Sequence, residues 1–137
     1  MKKILLVIAG IFLASECFAG SYLGFRYMDS FVPQPRLLEP AREMVDLSGK
    51  ESLLFRWSSH EQARGFRMYY DFRLYKGYNM LESTLIFKQK VDPTQNAVAL
   101  SAAMFEDGQV YTWSLRQVYD GYRKSDRSYQ SFKVIKR

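Results

Sequence analysis

Cysteine occurs once in these 137 residues, at Cys17, and histidine once, at His60. That scarcity excludes a good deal. A disulfide needs two thiols, and a zinc site needs three or four converging nitrogen or sulfur ligands. No glycine-rich phosphate loop and no dinucleotide-binding motif is present. No apolar run reaches the ~20 residues that span a bilayer. No amphipathic helix of any length can be traced, and there is no internal repeat or low-complexity tract. His60 stands beside Glu61, with Ser58 and Ser59 just before it. Side chains strung along one loop do not reproduce the geometry of nucleophile, base and orienting acid. Asp107, Asp120 and Asp126 are scattered, and Arg123 and Lys124 stand where a calcium loop needs oxygens. These absences point to a protein that is not an enzyme and takes no cofactor or metal.

Aromatic residues are what the sequence has in quantity: 16%, with ten Tyr and ten Phe. These side chains favour strands. The net charge is +6, a mild excess that keeps a domain soluble and suits acidic or phosphorylated surfaces.

Residues 1–19 have the three parts of a secretory signal peptide. Lys2 and Lys3 open it, Ile4–Ala14 is apolar, and Cys17 and Ala19 are small residues at a cleavage site. The expected product is exported, to a bacterial periplasm or the cell exterior, and lacks cysteine. Lipid attachment at Cys17 is not expected, because Glu16 fills the position where a lipobox requires a small neutral residue. Residues 20–32 form an aromatic leader with Tyr22, Phe25, Tyr27 and Phe31.

From residue 33 onward, short alternating runs are separated by turns. Pro35–Pro40 reads as a bent edge strand, A, since proline within sheets is confined to edges and bulges. Ala41–Val45 has room for at most one helical turn. Ser52–Ser58 is strand B, with Leu53, Phe55 and Trp57 on one face. Phe66–Lys76 is a long strand C, with Phe66, Met68, Tyr70, Phe72 and Leu74 inward and Arg67, Tyr69, Asp71, Arg73 and Tyr75 outward. Leu81–Val91 follows and ends in Lys88 and Lys90, as an exposed edge does. Ala97–Phe105 is strand E. Tyr111–Arg116 is strand F, with Tyr111, Trp113 and Leu115 inward. Asp120–Arg127 is a loop, and Ser128–Lys136 closes the set. Seven short strands without helices indicate an all-β sandwich.

The runs Leu53-x-Phe55-x-Trp57, Tyr70-x-Phe72-x-Leu74, Phe105 to Leu115 across the E–F corner, and Phe132-x-Val134 together resemble the fibronectin type III family. The resemblance implies a seven-strand immunoglobulin-like sandwich over residues 33–137. It also implies that Tyr111 forms a tyrosine corner, its hydroxyl bonded to backbone a few residues upstream. Glu106-Asp107-Gly108 replaces the proline usual at that corner. Domains of this kind are spacers or binding modules, and the same sandwich serves many functions.

In such a sandwich the B–C and F–G loops meet at one end. That places Arg64 and Arg67 near Tyr122, Arg123, Lys124 and Arg127, a cluster suited to an anionic glycan or an acidic protein surface of the cell envelope. A second candidate is the outer face of strands C and F, where Tyr69, Tyr75, Arg73 and Arg116 stand near one another and Tyr119 extends the row. The expected function is a non-enzymatic exported binding or protein-interaction module. The alternative is a structural accessory of a surface assembly, docking through its aromatic leader. Nucleic acid is not an expected partner of an exported chain.

Overall fold

The computed structural model describes residues 32–58, 67–119 and 123–137. Residues 1–31 lie outside that description, and with them the expected signal peptide and nearly all of the aromatic leader. Val32, the last leader residue, packs against the core.

Nine strands form two sheets among the described residues. Strands β1 (Arg36–Glu39), β3 (Ser52–Ser58) and β6 (Ala97–Ser101) make the smaller sheet, with β3 central. The larger runs β2 (Met44–Asp46), β9 (Ser128–Ile135), β7 (Val110–Tyr119), β4 (Met68–Lys76) and β5 (Leu85–Val91), with β8 (Arg123–Lys124) added beside β7. Every pairing is antiparallel except β2 with β9.

Each long strand forms because its apolar residues recur at every second position, which is the pleat period. In β3, Leu53, Phe55 and Trp57 are buried while Leu54 and Arg56 are exposed. In β4, Met68, Tyr70, Phe72 and Leu74 are buried. The two inner faces meet through rings. Phe55 of the smaller sheet lies edge-on at 5.2 Å from both Phe72 and Trp113 of the larger. Trp57 stands edge-on to Tyr70 at 5.3 Å. Trp113 also directs its Nε1–H to the Pro40 carbonyl at 3.3 Å. Edge-to-face ring pairs of this kind add ~0.5–1.5 kcal/mol beyond the area they bury.

Four details differ from the sequence-based expectation. The segment after Pro40 makes no helical turn: it leaves the smaller sheet and becomes β2, parallel to β9 with Val45 opposite Val134. Strand E stops at Ser101, where the Ser101 hydroxyl accepts from the Ala103 N–H at 3.3 Å and Ala102–Met104 tightens into a 3-10 turn. The strand expected at Leu81–Val91 starts only at Leu85, after a 3-10 turn over Glu82–Thr84. Within the expected loop Asp120–Arg127, Arg123 and Lys124 extend the ladder of β7 as β8.

The corner before β7 carries the expected tyrosine. Gly108 takes the positive φ of +76° that closes the turn, a conformation glycine adopts without a Cβ clash. The buried Tyr111 stands edge-on to Phe105 at 5.0 Å, and its hydroxyl accepts from the Glu106 N–H at 2.8 Å. Tyr111→Phe keeps the ring and strands that N–H. It should cost about 1–3 kcal/mol in urea unfolding, the cost of an unsatisfied donor. A change near zero would mean that water serves Glu106 equally well.

Polar clasps hold the other end of β7. Buried Gln117 donates through Nε2 to the Pro33 carbonyl at 2.9 Å and accepts through Oε1 from the Tyr119 hydroxyl at 3.0 Å. The Gln117 N–H donates to Ser125 Oγ at 2.9 Å. The Ser128 hydroxyl donates to the Pro35 carbonyl, so the segment entering β1 is fastened to the larger sheet before it joins the smaller one.

Candidate functional site

The inner faces of both sheets are spent on the core. The outer face of the larger sheet is not, and the alternation along β4, β5 and β7 decides what stands there. Residues one apart point to opposite faces, so Tyr69, Asp71 and Arg73 of β4 are outward. Register then assigns their neighbours. Asp71 lies between Lys90 of β5 and Arg116 of β7; Arg73 lies between Lys88 and Ser114; Tyr69 faces Val118, whose far neighbour is Lys124 of β8. All of these except Ser114 and Val118 line, together with Gln89, a groove of about 320 Å³.

Asp71 is the hub. Its carboxylate meets Arg127 Nη2 at 2.7 Å, Arg73 Nε at 3.3 Å and Arg116 Nε at 3.3 Å. All four side chains are mostly covered, at 14–23% exposure. Burial pushes the Asp71 carboxyl up, but the hydrogen bond and charge of Arg127, followed by those of Arg73, outweigh it and hold the pKa below the usual carboxylate range. Arg127 moves the other way from what a partnered cation would: burial lowers its pKa, and the charges of Arg116 and Arg73 add to that against the pull of Asp71. Both directions describe one crowding. A single carboxylate is shared by three guanidinium groups.

Around this hub the positive charge is only thinly balanced. Arg73, Lys88, Lys90, Arg116, Lys124 and Arg127 stand against Asp71 and, at 3.6 Å from Arg73 Nη1, the exposed Glu82. Lys90 Nζ sits 4.9 Å over the Tyr69 ring, a cation–π contact that holds the ammonium in place. A larger groove, about 600 Å³, runs beside β1 and β2, but its charges alternate in sign: Glu39, Arg42, Asp46 and Lys50. Among the described residues no group of His, Cys, Asp or Glu side chains gathers as a metal cluster would.

The sequence-based candidates fall as follows. Arg64 and Tyr122 lie outside the described residues, as do His60 and Glu61. Arg67 immediately precedes β4 and is exposed. Arg123 pairs with Tyr119 in the ladder, and Lys124 lines the groove. Arg127 is turned back across the sheet, with Nη1 donating to Ser114 Oγ at 3.2 Å and Nη2 donating to Asp71 Oδ2 at 2.7 Å. Arg73, Arg116 and Tyr69 of the second candidate face do stand together. Two of its members do not belong. Tyr119 is buried on the inner face, because it shares parity with Tyr111 and Trp113. Tyr75 is also buried, at the point where the β4–β5 register slips and Tyr75 pairs with Leu85.

Asp71, Lys88 and Lys90, read from sequence as outward or edge residues, were not among the sequence-based site candidates. The signal that finds them is the register: once β5 is paired with β4, Lys88 falls opposite Arg73 and Lys90 opposite Asp71. A scan against models of known protein families matches none of them, and no curated protein is similar enough to be matched.

Proposed function

We propose that this chain is an exported, non-enzymatic binding module with a fibronectin type III-like fold, and that the outer face of β5–β4–β7 receives an anionic partner. In an immunoglobulin-like sandwich one sheet carries strands A, B and E and the other C, F and G. Strands β1, β3 and β6 and strands β4, β7 and β9 occupy corresponding places, which supports the reading of the fold. On this reading β2 and β8 are additions to the larger sheet.

One observation carries the functional reading: Arg73 and Lys88 are direct cross-strand neighbours. Like charges placed opposite each other in a sheet work against its stability. Here they do so beside a groove already lined by Lys90, Arg116 and Lys124. Asp71 and Glu82 offset part of that repulsion on Arg73, and an anion bound in the groove would offset what remains. A rigid strand platform also holds the cations at fixed spacing, which lowers the ordering cost of binding.

The test compares two charge reversals of equal size. Lys88→Glu with Lys90→Glu lowers the net charge as much as Arg42→Glu with Lys50→Glu, and all four side chains are exposed. Binding of the full chain to dextran sulfate, followed by calorimetry at low salt, should weaken about 10–100-fold in the first variant and little in the second. Salt should erase the difference, since surface charges are screened beyond ~8–10 Å at physiological ionic strength. Equal losses in both variants would mean that net charge alone attracts the polymer, and the site reading would fail.

A further inference from the structure

We infer that the anionic partner of this face is an acidic polysaccharide; the inference rests on the binding-module reading above. The register runs one row across four strands: Tyr129 of β9 opposite Ser114, Ser114 opposite Arg73, Arg73 opposite Lys88. At ~4.8 Å between strands the row spans about 14 Å. Its two ends differ in chemistry. Lys88 and Arg73 are cationic, while Tyr129 is among the most exposed large side chains of the fold, at 62%. Two residues on, on the same face of β9, comes Ser131, which shares a groove of about 400 Å³ with Tyr78, itself 71% exposed. One exposed phenol ring therefore ends the row, a second shares a groove with Ser131, whose hydroxyl bonds Thr112 Oγ1 at 2.7 Å, and the cations stand at the row's other end.

That gradient suits a chain of sugar rings bearing acidic groups. The C–H faces of the rings pack on tyrosine, their hydroxyls exchange hydrogen bonds with phenol and serine hydroxyls, and carboxylates or sulfates meet Arg73 and Lys88. An acidic peptide fits less well. Extended peptides bind by adding a strand at a sheet edge, but the row crosses β4 and β7, whose backbone groups are already taken on both sides. Single-stranded nucleic acid needs open aromatic faces among the cations. The aromatic ring there, Tyr69, is covered by Lys90.

The experiment titrates the full chain with four probes matched in charge: a galacturonate oligomer, a dextran sulfate oligomer, poly-glutamate and oligothymidylate. One or both glycans should bind at least about tenfold tighter than the other two. Tyr129→Ala and Tyr78→Ala, both exposed and outside the core, should each lower glycan affinity about fivefold or more while leaving poly-glutamate unchanged. Whether the galacturonate or the sulfate wins identifies the acidic group. Equal or tighter binding of poly-glutamate or oligothymidylate, or glycan binding indifferent to both tyrosines, would overturn the inference and leave the anion-binding face standing. Failure of every probe at low salt would overturn both.

Discussion

Phe55→Ala should lower the unfolding free energy by about 4 kcal/mol, within the 3–5 kcal/mol range of buried Phe truncations. The ring is fully buried and touches four others. Phe72 and Trp113 lie at 5.2 Å, Phe132 at 6.0 Å and Phe105 at 6.3 Å. Three of the four belong to the larger sheet or its strand ends, so this one side chain joins the sheets. Removing it leaves a cavity between aromatic walls that are themselves held by backbone pairing, so little collapse can fill it. Loss of transfer energy and loss of contacts therefore add. The effect is large against a total of ~5–15 kcal/mol for a domain. Leu54→Ala, the adjacent exposed position on the same strand, should change stability by no more than about 0.5 kcal/mol. Urea denaturation of both variants checks the contrast. If Phe55→Ala prevents folding, Phe55→Leu supplies the measurement, with an expected loss of about 1–2 kcal/mol. Similar small losses at positions 54 and 55 would contradict the inward alternation of β3.

Asp71→Asn should act in opposite directions on the fold and on the binding face. Three mostly covered guanidinium groups lose their shared carboxylate, and the fold should weaken by about 2–3 kcal/mol, somewhat below the cost of breaking a fully buried pair. The same change leaves a free share of charge on Arg73, Arg116 and Arg127, so affinity for a polyanion should rise, by about tenfold. A purely structural cluster gives the first effect without the second. The sign with pH follows from the direction of the shift. The native Asp71 pKa lies below the ordinary value of ~3.9, so its contribution to stability is fully present above that pH. It is lost as pH falls through the native pKa. Acid unfolding of the wild-type chain should therefore show a decline below about pH 4 that Asp71→Asn reduces. A variant as stable as wild type at pH 7 would mean that the three arginines are satisfied without Asp71.

Much of the fold was legible because it rests on local rules. Leu53, Phe55 and Trp57 alternate, and so do Tyr111, Trp113 and Leu115; a one-residue shift would turn every one of these side chains away from the core. The turn at Glu106-Asp107-Gly108 marked the tyrosine corner, and the Glu106 N–H completes it. What escaped was set by tertiary context. Met44–Asp46 is too short to show a period, and only the waiting edge of β9 makes it a strand. Arg123 and Lys124 carry no strand pattern and are recruited by the end of β7. Ser101 ends β6 through a side-chain hydrogen bond that the alternation of alanines around it conceals. The candidate site was half legible for the same reason. Arg73 and Arg116 could be placed on one face by parity, but Lys88 joins them through pairing, and Arg127 reaches Asp71 by folding back over a distance of 56 residues in the chain.

The parallel pairing of β2 with β9 also has a mechanical side. β2 lies downstream of Val32, and β9 leads to Arg137. Once the Pro33 and Pro35 clasps and the β1–β3 pairing have given way, tension at those two points pulls β2 backward along its own direction and β9 forward along the same axis. The bonds between them, Lys133 N–H to the Glu43 carbonyl at 2.7 Å and Leu47 N–H to the Ile135 carbonyl at 2.8 Å among others, are loaded in shear and together. A zipper opens one bond at a time; this junction must lose its bonds at once, so the short strand at the edge of the larger sheet resists stretching more than a zipper of equal length would.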